Sequence, residues 1–177
     1  MHGEDTKSLV LRTLEGDDAA FGELVRRYEG SAMRLALSIT RNPAEAEDAV
    51  QEAFWRAYKA LPRFDPARPF GPWLLKITAN RALSRASRRR PEAPLEEAVE
   101  VAEAGRPDDD RGPDIERLKR ALGELSPGDR AVLSLRYDQN LPLADIARTI
   151  GLKLGAVKVR LFRARERLLR LLKGGAA

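Results

Sequence analysis

The feature that most constrains this sequence is the stretch from Leu141 to Leu172, where two helical patterns flank a glycine turn. Ile146, Ala147 and Ile150 give the first, short helix an inner face. Gly151 follows where that helix must end, because glycine adopts the left-handed conformation without a Cβ clash. The longer second pattern has apolar residues at spacings of four and three, namely Val157, Leu161, Ala164, Leu168 and Leu171. Small Ala147 lets the two helices approach closely, so the stretch predicts a helix-turn-helix.

The second of these helices is strongly basic. Its only acid is Glu166, and its cations are Lys153, Lys158, Arg160, Arg163, Arg165, Arg167, Arg170 and Lys173. A helix with a buried stripe and a cationic outer face, presented by a tight turn, is suited to a DNA groove. The alternative is a solvated helix of an ordinary bundle. The coincidence of turn glycine, small residue and charge bias favours DNA binding.

Charge divides the 177 residues into three parts. Residues 1–90 carry 16 Lys and Arg against 12 Asp and Glu, residues 91–112 carry 2 against 8, and residues 113–177 carry 14 against 7. No part shows a strand pattern. We therefore expect an all-α fold of two small helical domains, residues 1–90 and 113–177, joined by a flexible acidic linker at 91–112.

Several classes of chemistry are disfavoured by what the sequence lacks. It has no cysteine, and its one histidine is His2. Disulfides, thiolate metal sites and histidine-based catalysis are therefore not expected, and neither is any cofactor. No apolar run approaches membrane-spanning length, and the N-terminus lacks a signal-peptide pattern. The expected location is the cytoplasm, without direct membrane insertion.

The first basic block contains a helix with a polar face. Asn42-Pro43 predicts its start, with asparagine as N-cap and proline in the first turn. The helix then runs through Val50 and Phe54 to the region of Pro62. Its polar face carries Asp48, Gln51, Glu52 and Arg56. Simple solvation is one interpretation of this face.

A loop and a second polar helix follow. The loop Arg63–Pro72 holds three prolines and one glycine and is predicted not to be helical. The helix that follows has a narrow stripe of mostly small residues, Leu75, Ala79, Ala82 and Ala86. Beside it lie Lys76, Asn80, Ser84 and Ser87, with Arg81, Arg85 and Arg88 beyond. Amide, hydroxyl and guanidinium groups of this kind bond bases and phosphates. A cationic last turn that complements the helix dipole is the alternative.

The sequence resembles the extracytoplasmic-function (ECF) sigma factors, a class of bacterial transcription initiation factors. The resemblance runs from Asp17 to Leu172. It rests on AEDAVQEAFWRAY with the downstream PWLLKITANRALSRASRRR, and on LADIARTIGLKLGAVKVRLFRARERL. It implies a promoter-specificity subunit without catalytic activity or a small-molecule substrate. It also implies three partners: RNA polymerase core, promoter DNA and an anti-sigma protein.

The resemblance also assigns residues to these partners. Polymerase binding, at the clamp helices of the largest subunit, would fall to Asp48, Gln51, Glu52 and Arg56. The second domain would meet the flap of the second-largest subunit. The minus-ten element would be recognised and opened by Arg63, Phe64, Trp73, Lys76, Asn80, Arg81, Ser84 and Arg88. The minus-thirty-five element would be read by Lys153, Ala156, Lys158, Val159, Arg160, Arg163 and Arg167.

The sequence departs from the family pattern at three places. Ser84 stands where an acid is common, which leaves a helix-anchoring salt bridge in doubt. The recognition helix opens with Ala156 and Val159 where the family has hydroxyl residues. Asp145 replaces the usual glutamate. Two roles are considered for Trp73: it packs in the core beneath the loop, or it acts as a wedge against a separated base pair.

Two other classes of function compete with this interpretation. A stand-alone helix-turn-helix regulator would need a ligand or dimerisation domain, and the first block shows no pattern for either. An enzyme would need a nucleophile–base pair, a phosphate-binding glycine loop or a metal cluster, none of which the sequence suggests.

Overall fold

The computed structural model describes residues 5–88 and 112–174, and these residues form helices joined by short turns. The all-α expectation is confirmed, since no strand occurs in either range. The helices are α1 Thr6–Leu14, α2 Asp18–Thr40, α3 Pro43–Ala60, α4 Phe70–Arg88, α5 Gly112–Gly123, α6 Pro127–Tyr137, α7 Leu143–Ile150 and α8 Leu154–Gly174. A 3-10 turn, Leu61–Arg63, follows α3.

Side-chain caps explain where three helices begin. The Asp17 carboxylate accepts the backbone N–H groups of Ala19 and Ala20 at the start of α2. Asn42 Oδ1 accepts the N–H of Glu45 at 3.0 Å, and Pro43 is the first residue of α3. Ser126 Oγ accepts the N–H of Asp129 at 3.2 Å in α6. Each cap satisfies an N–H that the helix itself leaves unpaired.

One helix and one helix boundary differ from the sequence-based expectation. Helix α1, with buried Leu9 and Val10 against α2, was not predicted at all. Helix α4 begins at Phe70, inside the predicted loop Arg63–Pro72. The expectation that no helix could include Pro72 was wrong, because proline lacks only an N–H that the first helical turn does not use.

The helices pack into two groups, α1–α4 and α5–α8, which also contact each other. Helix α4 packs on α2 and α3, while α8 packs on α5, α6 and α7. Between the groups, α6 packs on α2 and α7 packs on α4. One apolar core therefore runs through both, from Leu35 and Leu74 in the first group to Leu135 and Ile146 in the second. Of the helices described, none has the length and apolar character to span a membrane.

The predicted linker 91–112 lies outside the described residues except at Gly112, where α5 begins. The division into domains at residues 90 and 113 stays a prediction. Arg89, Arg90 and His2 also fall outside the described ranges.

Candidate nucleic-acid and protein interfaces

The turn between α7 and α8 fixes how the basic helix is presented. Gly151 has a φ of 69°, in the left-handed region, as its position in the sequence predicted. The backbone N–H of Leu152 donates to the carbonyl of Ala147 at 3.0 Å, which closes the turn. Val157 and Ala164 of α8 are buried against the rest of the group. The opposite side of α8 is therefore directed outward.

The residues that the sequence assigned to the minus-thirty-five element lie on α8, apart from Lys153, which directly precedes it. All are exposed: Lys153, Ala156, Lys158, Val159, Arg160, Arg163 and Arg167. Arg160 is additionally restrained, because its Nε lies 3.6 Å from Asp129 Oδ1 at the start of α6. Phe162, which the sequence analysis passed over, is 66% exposed. Phe162 lies outside the buried stripe of α8, and this position in the sequence could have predicted that its side chain is exposed.

Helices α3 and α4 are joined by a network of ion pairs. Glu52 Oε1 accepts from Arg56 Nε at 2.9 Å on its own helix and from Arg81 Nη1 at 3.4 Å on α4. Arg85 Nη1 donates to Asp48 Oδ2 at 2.9 Å. The hydrogen bond from Arg56, reinforced by the charge of Arg81, lowers the pKa of the Glu52 carboxyl.

This network bears on two expectations from the sequence. Two residues assigned to different partners, Glu52 to polymerase and Arg81 to DNA, contact each other here. Ser84 cannot form the helix-anchoring salt bridge common in the family, but other salt bridges anchor α4 to α3. Arg81 and Arg85 supply the cations on α4, and α3 supplies the acids. Arg85 was not among the predicted site residues. Helical periodicity shows which face of α4 it occupies, but not which other helix that face contacts.

The outer face of α3 has one further residue that the sequence analysis did not assign. Trp55 is 59% exposed, and Lys59 Nζ lies 3.8 Å from the centre of its ring. It stands four residues after Gln51, which is also exposed, so the two share a helical face. Aromatic side chains left in water on a charged face are typical of protein-binding surfaces.

The predicted minus-ten residues divide into an exposed set and a supporting set. Arg63, Lys76, Asn80 and Arg88 are exposed, while Arg81 and Ser84 are half-buried. Phe64 points inward: it is buried, and its ring centre lies 4.5 Å from that of Trp73. Trp73 also packs on Phe70, at 5.5 Å between ring centres. In this arrangement both rings support the loop from beneath, which favours the core interpretation of Trp73.

A cleft of about 590 Å³ lies beside this loop. The first group contributes Tyr28, Phe64 and Phe70 to its walls, and the α6–α7 segment contributes Gln139 and Leu141. Asp65 shapes the loop, since its carboxylate accepts the N–H of Ala67 at 2.9 Å. Among residues 5–88 and 112–174, no cluster of His, Asp or Glu is arranged to hold a metal ion.

Comparison with known families places two models on the chain. The family described as Sigma-70 region 2 matches residues 24–92, and Sigma-70, region 4 matches residues 115–168. The ECF RNA polymerase sigma factor SigM of Mycobacterium tuberculosis is 35% identical over 97% of this chain and 86% of its own. The ECF RNA polymerase sigma factor SigW of Bacillus subtilis is 29% identical over 94% of this chain and 96% of its own.

Solved structures with the same arrangement of helices include two complexes. CnrH bound to the cytosolic domain of CnrY has a TM-score of 0.73 and 29% identity, over 96% of this chain and 99% of that one. The sigma factor RpoE bound to the anti-sigma factor NepR, from Bartonella quintana, has a TM-score of 0.71 and 26% identity. That match covers 86% of this chain and 96% of RpoE.

Proposed function

Because the chain belongs to the ECF family of RNA polymerase sigma factors, we propose that it binds RNA polymerase core and directs promoter-specific initiation. In this proposal α3 contacts the clamp helices of the largest subunit. The loop after α3, with α4, recognises and helps open the minus-ten element. Helix α8 reads the minus-thirty-five element, and the α5–α8 group meets the flap of the second-largest subunit. The chain supplies no catalytic group of its own and acts in the cytoplasm.

The observation that carries the proposal is the outward face of α8. All seven residues assigned to the minus-thirty-five element are exposed, six on α8 and Lys153 directly before it, after a turn fixed by Gly151. Arg163 and Arg167 offer guanidinium groups that bind guanine edges or phosphates. Ala156 and Val159 offer only methyl groups, which suit the C5-methyl of thymine.

The face of α4 supports the minus-ten assignment. Asn80 and Lys76 are exposed one turn apart, and Arg88 is exposed further along the helix. The network from Glu52 to Arg81 holds this helix in place without covering Asn80. Phe64 and Trp73 support the loop, while Arg63 stays outside. An exposed amide on a rigid helix is suited to bonding a base edge as the duplex separates.

The outer face of α3 supports the polymerase assignment. Gln51 and Asp48 are exposed, and Trp55 adds a large aromatic side chain that can be buried by a partner. Glu52 and Arg56 bond each other, so they fix the shape of this surface as well as its charge. The similar solved structures are those of CnrH in complex with the cytosolic domain of CnrY and of the sigma factor RpoE in complex with the anti-sigma factor NepR. An anti-sigma protein is accordingly proposed as a further partner.

Reconstitution with polymerase core tests the proposal. Promoter DNA should be retarded tightly in a gel only when both the chain and core are present, and run-off transcription should start at defined sites. A stand-alone regulator would instead bind the same DNA tightly without core. Gln51→Ala and Trp55→Ala should lose core binding while far-UV circular dichroism stays native. Glu29→Ala, an exposed change on α2, is the control. Unaltered core binding by both α3 variants would exclude α3 as the contact.

A further inference from the structure

A buried arginine joins the two groups of helices. Arg130 belongs to α6, yet its Nε donates to the carbonyl of Ser38 at 2.8 Å and its Nη2 to the carbonyl of Ile39 at 2.6 Å. Both carbonyls belong to the last turn of α2, which ends at Thr40. Nη1 donates to the carbonyl of Leu125 within its own group. The guanidinium is thus enclosed by backbone oxygens from both sides of the contact.

The chemistry of a helix end explains why this contact forms. The last four carbonyls of a helix have no partner within it, and they carry the negative end of the helix dipole. A guanidinium presents several N–H donors in one plane and can bond two neighbouring carbonyls at once. Arg130 therefore completes the C-terminus of α2 from the other group. A lysine at this position would lack the planar pair of donors.

The contact is nevertheless costly to keep closed. Burial, assisted by the like charge of Arg41, lowers the pKa of Arg130 to about 10. The group remains charged at neutral pH, so it loses hydration on closing and regains it on opening. The carbonyl bonds offset that loss only while the geometry is kept. Such a contact can open when another partner competes for either group.

Two further contacts close the same arrangement. Gln139 Nε2 donates to the carbonyl of Ser31, midway along α2, at 3.3 Å. Helix α7 packs against α4, the helix proposed to contact the minus-ten element. Gln139 and Leu141 also form one wall of the cleft beside the loop Arg63–Pro72. The second group therefore lies beside the loop Arg63–Pro72 and against α4, while Lys76 and Asn80 stay exposed.

The closed arrangement is too compact to serve both promoter elements. A globular chain of this length has a diameter of about 40 Å. Elements at positions minus ten and minus thirty-five lie about 25 base pairs apart, which is roughly 85 Å along B-form DNA at about 3.4 Å per base pair. Helices α4 and α8 both contact α7 in the structure, so they cannot span that distance together.

We propose that Arg130 is a clasp: seated on the carbonyls that end α2, it holds the chain closed, and it must release before both promoter elements are engaged. The effect on promoter engagement rests on the proposed function. Whether Arg130 holds the two groups together can be measured without polymerase. It assigns a regulatory role to a residue outside all three predicted interfaces.

A distance measurement on the free protein tests the clasp directly. The sequence has no cysteine, so Glu29→Cys and Ala144→Cys place two nitroxide labels on exposed sites of α2 and α7. Double electron–electron resonance should give one narrow, short distance in the otherwise native chain. Adding Arg130→Gln should give a broad distribution shifted to longer distances. An unchanged distribution in a variant that remains helical would overturn the proposal.

A reversible lock tests the consequence and does not depend on the folding of an Arg130 variant. Ser31→Cys and Gln139→Cys, joined by a short bis-methanethiosulfonate linker, hold the closed contact with its native neighbours in place. With polymerase core, the locked chain should yield at least roughly tenfold less run-off transcript, because the competent fraction is removed. Reduction of the linker should restore it. Equal transcription before and after reduction would contradict the clasp. No promoter-specific transcript from the unlocked wild type would refute the proposed function instead.

Discussion

At the scale of single residues, charge pairs decide how the surface of α3 is presented. Glu52 is the centre of the network, with Arg56 on one side and Arg81 on the other. It therefore has a structural role that a simple solvated acid would not have. Gln51, by contrast, is exposed and is the cleaner residue with which to test polymerase binding.

The first prediction concerns Glu52→Ala at different pH values. The folded-state pKa of Glu52 is lowered, so its contribution to stability is full above the unfolded pKa and falls as pH drops through the folded value. Urea unfolding should show a loss of up to about 1 kcal/mol at pH 7, since the pair is partly exposed. The loss should shrink as the pH falls below 4.5, the ordinary pKa of the carboxyl, and through its lowered folded-state value. Glu47→Ala, an exposed change on the same helix, is the control. A loss independent of pH would mean that packing, not charge, is responsible.

The second prediction concerns Val159, which is 49% exposed on α8. Its methyl groups cannot donate a hydrogen bond, but they can pack on a thymine methyl. Replacing a contacted thymine of the minus-thirty-five element by uracil should weaken holoenzyme binding by about 1 kcal/mol, near the transfer energy of one methylene. Val159→Ser should abolish the difference between the two bases. Equal affinity for thymine and uracil at every position would show that Val159 and Ala156 only fill space.

At the scale of elements, the helix-turn-helix depends on one backbone conformation. Gly151 and Gly155 are both glycines of this motif, and a Cβ built on either would meet nothing within 4 Å. They differ in their backbone, because only Gly151 has a positive φ, of 69°. The positive φ of Gly151, and not a lack of space for a side chain, therefore determines which residues the turn tolerates.

The third prediction uses these two glycines as a matched pair. Gly151→Ala should lower the free energy of unfolding by about 1–2 kcal/mol, the cost of a left-handed L-residue. Gly155→Ala lies in the first turn of α8 and should leave stability unchanged or slightly raised. Urea denaturation followed by circular dichroism compares the two. Similar losses in both variants would mean that side-chain contacts, and not φ, control the turn.

At the scale of the whole molecule, the core joins the two groups into one packed unit. Leu35 and Leu74 belong to the same apolar cluster as Leu135 and Ile146. The contacts of α6 with α2 and of α7 with α4 carry this continuity. Cooperative unfolding is the expected consequence, because neither group can expose this shared surface without cost.

The fourth prediction follows from the positions of the tryptophans. Trp55 and Trp73 are the two tryptophans of the sequence, and both lie in α1–α4. Their emission reports on the first group, whereas circular dichroism reports on all the helices. In urea the two signals should change at the same midpoint. Separate midpoints would show that the two groups unfold independently and that the shared core contributes little.

The sequence by itself determined the features that depend on neighbours in the chain. Gly151 fixed the turn before α8, Asn42 fixed the start of α3, and apolar spacing fixed the buried stripe of α8. Capping, left-handed backbone and helical periodicity all act within a few residues. The same local pattern directed the basic face of α8 outward.

Only the tertiary structure decided features that depend on distant parts of the chain. The nine-residue α1 is too short to be stable alone, so its helix depends on packing against α2. The bond from Arg85 to Asp48 joins residues 37 positions apart, and that from Arg130 to Ser38 joins residues 92 apart. Periodicity shows which residues share a face of one helix, but not which helix that face meets. That choice is made by the packing of all the helices together, and it makes Arg130 a buried link between the two groups.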